Sequence, residues 1–417
     1  MHSNEINAAN AMRLQFPNTA HERTARARAL FFEHGERPSG LVGEAVIQSW
    51  LRCVRAWPDP RKAVALDPVS TSRIHAARER GRALLDAAQA PVQAMERAIG
   101  GTGAHVLLTN ADGVVLYATP SPTGSRTLTR RIGRPGVNAA EGCLGTNAPA
   151  VVLATGQACL VTAAEHYFDA LREMHCAAAP IRDASGALAA VLNVSVEGRA
   201  FAFNPGAIVG LYATVIENAL LQALARDQLV LQFQTQPGLL GSPLQALAAV
   251  ASDGTLAWCN DSAAHLLGCD ARLPRPMDVS AVLGLPLSQL ESLTRQTQPR
   301  ELRLINGIRV WVSARLGAVG APQATALGSA PVAPAVRATP MPQQAVEPAP
   351  ADARDNDGQG DGEHAATLRM RNLQLIHETL TQQRGNVQRT ARILGISRST
   401  LYRRLNESRS ARRAPPA

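Results

Sequence analysis

A chain of 417 residues, 46% hydrophobic and 18% charged, has room for two to four domains and enough apolar material to bury real cores. Its six cysteines (Cys53, Cys143, Cys159, Cys176, Cys259 and Cys269) include no CxxC pair, which excludes a disulfide framework and a zinc site. Of the formal charge of +9, a net +8 lies between Glu363 and Ala417, eleven Arg against three acidic residues, so a polyanion partner is expected for that end alone.

Residues 1–98 read as a helical N-terminal region. Ala20 to Glu33 and Ser72 to Ile99 are rich in Ala, Arg, Leu and Glu, with Ser49-Trp50-Leu51-Arg52-Cys53 and the breakers Pro58, Pro60 and Pro68 between them. No signal-peptide pattern opens the chain. From His105 the period changes to that of strands. An apolar run to Thr109, the Asp112-Gly113 turn and Val114 to Tyr117 predict a hairpin, and Ala158–Thr162, Cys176–Ile181 and Leu188–Val196 supply further strands. Asn204-Pro205 opens a helix to about Ala225. This stretch is the most apolar of the chain, but Asn204, Pro205, Glu217, Asn218 and Gln222 interrupt it. It reads as a buried or dimer-forming helix rather than a membrane span, and the protein is expected to be cytoplasmic.

A second hairpin, Ala246–Ala251 and Thr255–Cys259 around Asp253-Gly254, leads into a short helix capped by Asn260. Leu302–Ile305 and Ile308–Val312 flank Asn306-Gly307 as a third. Residues 317–364 are dominated by Ala, Pro, Gly and Gln and are expected to be a disordered linker.

Three helices fit the basic end, residues 365–417. Met370, Leu373, Ile376 and Leu380 form one apolar face; Val387, Ala391 and Leu394 form the next; Gly395 turns the chain; Leu401 and Leu405 hold the third helix to the core. Arg398, Ser399, Thr400, Tyr402, Arg403 and Arg404 then face outward, with Arg389 on the preceding helix. A helix whose N-terminal residues enter the major groove, flanked by Arg and hydroxyl groups for phosphates, is a DNA-binding helix-turn-helix.

The run from Gly385-Asn386-Val387 through Ser397-Arg398-Ser399-Thr400-Leu401-Tyr402 to Leu405 resembles the Fis-type helix-turn-helix that ends sigma-54-dependent activators. Upstream, Ser49-Trp50-x-Arg52-Cys53 with Asp59-Pro60 resembles the entry motif of their acetoin-regulator (AcoR) branch. So do Glu141-Gly-Cys-Leu-Gly145-Thr146-Asn147-Ala148, Glu165-His166-Tyr-Phe and His175-Cys176-Ala-Ala-Ala-Pro180. The resemblance implies an α+β multidomain chain: a GAF sensory domain at 99–225, a shortened PAS-like domain at 240–316, the linker, and the all-α three-helix module. It also implies a small-molecule effector, with Glu141, Thr146, Asn147, Glu165, His166, His175 and Cys176 as candidate contacts. Read from the residues alone, Gly145-Thr146-Asn147 is equally a turn and helix cap, either histidine a satisfied core residue, and Cys143 and Cys176 small core residues.

One departure is decisive. Such activators carry an ATPase whose phosphate loop, Gly-x4-Gly-Lys-Ser/Thr, needs a lysine, and the single lysine of this chain, Lys62, sits in Asp-Pro-Arg-Lys-Ala-Val. The expectation is therefore a homodimeric DNA-binding regulator that is not an enzyme. It needs no cofactor or metal, has no membrane contact, and takes double-stranded DNA and an effector as partners, with RNA polymerase or a full-length paralogue as further ones. The alternative is a sensory adaptor that works through protein partners and uses the C-terminal helices only to dimerise.

Overall fold

The computed structural model describes residues 19–317, apart from 65, 67, 121–126 and 271–276. The linker and helix-turn-helix expected further on lie outside the described residues. The described part belongs to one compact unit.

Four helices open it: α1 (Ala20–Phe32), α2 (Glu44–Ala56), α3 (Thr71–Arg80) and α4 (Arg82–Ala98). Thr19 and Glu22 form a reciprocal capping box at the start of α1. The single helix expected from Ser72 to Ile99 is broken at Gly81. A Cβ there would lie 3.1 Å from Leu116 and 3.2 Å from the Ala77 carbonyl, so glycine lets the chain turn tight against the sheet.

The first sheet is antiparallel, in the order β2-β1-β5-β4-β3. Its strands are β1 (His105–Asn110), β2 (Val115–Ala118), β3 (Cys159–Thr162), β4 (Met174–Arg182) and β5 (Leu188–Glu197). Gly113, at φ +82°, makes the expected β1–β2 turn, and a Cβ there would meet the Ala140 nitrogen at 2.9 Å. Alternation along each strand sends side chains to two separate layers. One is packed by α4 and α8 (Pro205–Leu224) through Val106, Leu108, Leu192, Val194, Val92, Met95, Tyr212 and Ile216. The other is covered by α1, α2 and three short helices, α5 (Thr127–Ile132), α6 (Glu141–Leu144) and α7 (Ala148–Thr155).

Among the described residues α8 alone has the length and hydropathy of a membrane span. Val209, Tyr212, Ala213, Ile216 and Leu220 pack one side of it into the first sheet's layer.

The second sheet, also antiparallel, has the order β8-β7-β6-β10-β9. It comprises β6 (Leu229–Gln234), β7 (Ala246–Val250), β8 (Leu256–Cys259), β9 (Arg300–Arg303) and β10 (Arg309–Leu316). The short helices α9 (Asp261–Leu267), α10 (Val279–Leu283) and α11 (Leu287–Ser292) accompany it. This unit starts at Leu229 rather than at the expected 240, because its central strand, β6, follows α8 almost at once. The central strand comes last in chain order in the first sheet and first in the second.

Candidate functional site

Seven side chains in the first unit were expected to meet an effector, and the structure places them in two groups and three separate positions. The first group joins α2 to α6 and the loop after it. Arg52 forks onto Glu141, Nε to Oε2 and Nη2 to Oε1, each at 2.7 Å. Ser49 Oγ donates to Glu141 Oε1 at 2.6 Å and lies 2.8 Å from Thr146 Oγ1, while Cys53 Sγ approaches the same hydroxyl at 3.5 Å. A planar guanidinium on a carboxylate fixes direction as well as distance, so this contact sets the angle at which α2 crosses the sheet's cover. The hydrogen bond to Glu141 also raises the Arg52 pKa.

The second group pins α1 and α2 to the turn after β3. Glu165 accepts from the Thr162 nitrogen at 2.7 Å and hydroxyl at 3.0 Å, and burial raises its pKa. Its carbonyl takes the Trp50 indole N–H at 2.7 Å. His166 is fully buried, and burial lowers its imidazole pKa to about 4, so the ring is neutral. Nδ1 lies 3.0 Å from the Ala163 carbonyl and must carry the ring proton to bond it, which leaves Nε2 an acceptor with no partner. The His166 carbonyl accepts from Arg28 of α1 at 2.8 Å.

The remaining three stand apart. Asn147 caps α7: its Oδ1 accepts from the Ala150 nitrogen at 3.0 Å, and its Nδ2 donates to the Ala139 and Gly145 carbonyls at 2.9 Å. His175 is half-buried on β4 opposite Thr162. Cys176 faces the covered layer, where burial pushes its thiol up to about 12 and makes it a poor nucleophile. Cys143, read as a core residue, is exposed.

The covered face of the first sheet holds polar residues that sequence reasoning missed. Thr109 of β1 and Asn193 of β5 are 0% and 1% exposed, and Thr109 Oγ1 and Asn193 Oδ1 have no hydrogen-bond partner. His105 and Ser195, paired across β1 and β5, lie buried on the same face. At the strand end the Glu197 carboxylate accepts from the nitrogen of Thr129 in α5, at 2.9 Å, and from its hydroxyl. The signal was present in Leu188–Glu197, where Asn193 and Ser195 occupy inward positions between apolar neighbours.

Where the two sheets approach, a cleft of about 510 Å³ is lined by Arg182, Asp183, Thr214, Glu217, Asp261 and Asp270, among others. Burial holds the Glu217 carboxyl up to about 7, and Glu217 accepts from the Arg182 backbone nitrogen at 2.7 Å. None of the seven expected side chains lines this cleft.

Comparison with known proteins finds similarity to bacterial transcription regulators in two stretches of the chain. Residues 20–206 match the MimR N-terminal domain, and residues 367–407 match the Fis family of bacterial regulatory proteins. The chain thus carries a stretch that matches the MimR N-terminal domain and, further on, one that matches the Fis-family helix-turn-helix. It is 29% identical over 236 residues to the acetoin catabolism regulatory protein of Cupriavidus necator, covering 54% of this chain and 35% of that one. It is 32% identical over 165 residues to the propane 2-monooxygenase operon transcriptional activator MimR of Mycolicibacterium smegmatis, covering 38% and 26%. The chain spans roughly a quarter to a third of these two curated relatives. The crystal structure of the E. coli DhaR(N)–DhaL complex is also similar, at 16% identity and a TM-score of 0.40, covering 65% of this chain and 99% of that one.

Proposed function

We propose that this protein is a homodimeric, DNA-binding transcription regulator without ATPase activity. Residues 99–225 act as a GAF-type sensory domain for a small molecule, and the second sheet forms a PAS-type unit beside it. Residues 365–417 bind DNA, with Arg398, Ser399, Thr400, Tyr402, Arg403 and Arg404 on the reading helix and Arg389 beside it. The observation that carries this reading is the pair of co-linear matches: an activator N-terminal domain and a Fis-family module lie on one chain. Nothing between them has the Gly-x4-Gly-Lys-Ser/Thr loop of an ATPase, since the chain's one lysine is Lys62. Such a chain occupies DNA sites without powering polymerase remodelling.

The test is fluorescence anisotropy of the full chain on its own promoter region and on scrambled duplexes, across a salt series. Binding to the promoter region with a slope of about −0.9 per phosphate contacted is expected. Arg398→Ala is expected to cost roughly 1–3 kcal/mol on the preferred sequence, and Arg403→Ala to weaken both duplexes alike. Promoter affinity unchanged in both variants, with helicity intact, removes this helix from the reading role. Absence of any DNA binding leaves the adaptor.

A further inference from the structure

The cleft between the two sheets takes its walls from both units. Its volume is about 510 Å³, and boundaries between packed units are where small-ligand pockets concentrate. Helix α8 lines it with small residues. Gly210 and Ala213 face the cleft, and a Cβ at Gly210 would meet no atom within 4 Å. Glycine in the middle of a helix is less stable than alanine, and here its effect is to leave that wall open. From the second unit come Cys259, at the end of β8, and Asp261, in the first turn of α9.

The charges on the walls do not balance. Arg182, Asp183 and Glu217 of the first unit share the cleft with Asp261 and Asp270 of the second, four carboxyl groups against one guanidinium. The guanidinium is already taken up: its Nη2 donates to the Gly156 carbonyl at 2.7 Å and its Nη1 to the Gly186 carbonyl at 3.4 Å. Asp183 is used by its own turn, where Oδ1 accepts from the Ser185 nitrogen at 2.8 Å and hydroxyl at 2.6 Å. Glu217 and Asp261 differ. Glu217 Oε2 accepts from the Arg182 nitrogen, but its Oε1, like both side-chain oxygens of Asp261, has no hydrogen-bond partner among the described residues. Burial, with the charge of Asp261 adding to it, holds the Glu217 carboxyl up to about 7. Two carboxyl groups facing one another across a partly buried cleft lack a cation. A metal ion does not suit the spacing, because among the described residues no three His, Cys, Asp or Glu side chains converge to hold one. An ammonium group on a short apolar chain does suit it. Its N–H groups answer Glu217 Oε1 and the Asp261 carboxylate, and its methylenes lie against Ala179, Gly210 and Ala213.

We propose that this cleft binds a small organic amine, a short aliphatic chain with one or two ammonium groups, held between Glu217 of α8 and Asp261 of α9. Such a ligand bridges the two units instead of lying within the first, so the site stands whether or not residues 99–225 sense a small molecule of their own and whether or not the chain binds DNA.

Isothermal titration calorimetry of the full chain tests the site, with butane-1,4-diamine, butane-1,4-diol, succinate and magnesium chloride as probes at near-physiological salt. The chain carries a formal charge of +9, so loose attraction of a cation to the whole molecule is disfavoured. The diamine is expected to bind one to one and the other three probes not to bind. Glu217→Gln keeps the shape and the acceptor for the Arg182 nitrogen, and Asp261→Asn keeps the shape; each is expected to weaken the diamine about tenfold, a loss of about 1.4 kcal/mol. Gly210→Leu fills the open wall without touching a charge, and is expected to hold or raise the thermal midpoint while abolishing binding. Asp86→Asn, at an exposed position of α4 outside the cleft lining, should bind as the parent does. A pH series adds a signature that a structural role does not give. Glu217 changes charge between about pH 6 and about pH 8, whereas Cys259, pushed up to about 12 by burial, stays neutral. The parent is therefore expected to bind the diamine about tenfold more tightly at the upper pH and to release a proton on binding at the lower one, and Glu217→Gln to do neither. A parent protein that ignores the diamine overturns the site, as do folded carboxyl variants that bind it unchanged or an equal loss in Asp86→Asn. Should either carboxyl variant unfold, Gly210→Leu decides, and unchanged binding in it overturns the site. Competition by magnesium, succinate or the diol overturns the ligand class, and an affinity independent of pH overturns Glu217 as the partner.

Discussion

Replacing Arg28 by methionine tests how the N-terminal helices are held. Arg28 is buried, its guanidinium stacks over Phe32 at 4.5 Å, and it donates to the carbonyls of Ala164, His166 and Tyr167 at 3.3, 2.8 and 2.8 Å. It also bonds Asp169 Oδ1 at 2.6 Å, but that carboxylate is a third exposed, so water screens the ion pair and it adds little. The cost therefore comes from the carbonyls. A hydrogen bond from a charged donor contributes roughly 1.5–3 kcal/mol. Two of the three are short, and methionine fills the stem's volume while leaving them dry, which gives an expected loss of about 3–5 kcal/mol. Arg28→Lys, with one compact donor in place of a fork, should lose about half as much. Urea unfolding followed by tryptophan fluorescence measures the loss, because Trp50 sits in the same seam on the Glu165 carbonyl. Hydrogen exchange over residues 20–32 shows where the protein opens. A loss under about 1 kcal/mol, with α1 exchanging no faster than in the parent protein, would refute the reasoning.

Other perturbations probe the seam between the sheets, the buried ionisable groups and the thiols. Asn260 Nδ2 donates to Asn218 Oδ1 at 2.9 Å and Asn218 Nδ2 to the Pro243 carbonyl at 3.1 Å, so Asn218→Leu should cost about 1–3 kcal/mol; urea midpoints that do not move would count against this amide as the link. Glu217 titrates near 7 when folded against an ordinary value of 4.5, so the native state binds more protons between these values and stability falls as pH rises through that window. Thermal midpoints of Glu217→Gln should lose this slope. His166 has the opposite sign. The unfolded ring takes its proton near 6.5 and the buried one only near 4, so stability falls as pH drops across that interval, and a midpoint flat from 6.5 to 4 would contradict its burial. Exposed Cys143 should react first with a thiol reagent and buried Cys53, Cys176 and Cys259 last, an order that peptide mapping of partly labelled protein checks.

The parts of the fold legible in the sequence are those with local causes. Asp112-Gly113 and Asp253-Gly254 make turns in which the glycine adopts φ of +82° and +87°. Asn147, Asn204 and Asn260 each cap the helix they precede, with Oδ1 on the third residue's N–H. What was missed depends on distance along the chain or on a missing punctuation mark. Between α8 and β6 the chain passes Asp227, at φ +57°, without glycine or proline, so strand Leu229–Gln234 had no visible start and the second unit seemed to begin later. The Arg52–Glu141 and Arg28–Tyr167 contacts join residues 89 and 139 apart, which no window of sequence compares. The same separation hid the purpose of Glu141, Thr146, Glu165 and His166. Their residue types suit a binding site, and only the packing of α1 and α2 over them reveals that the polar atoms of Glu141, Thr146 and Glu165, and Nδ1 of His166, are engaged within the chain.

Helix α8 ties these observations together, because consecutive residues on it answer to different units. Glu217 accepts from Arg182 at the end of β4, while Asn218 bonds Asn260 and Pro243 of the second unit. One turn later Leu220 packs in the first sheet's layer, whereas Leu221 joins Val230, Leu247, Ala249 and Trp258 in another. Pulling the second unit away would expose that buried cluster at about 25 cal/mol for each Å² of apolar surface, besides unpairing two amides. The units therefore do not move as beads on a string. A displacement of β4 or β5 must either be absorbed within the first unit or carried by α8 into β6 and β7. Because close-packed layers resist gradual deformation, the second course requires a discrete alternative seating of α8. The polar contacts at its C-terminal half, few and identifiable, are where such a seating would be set.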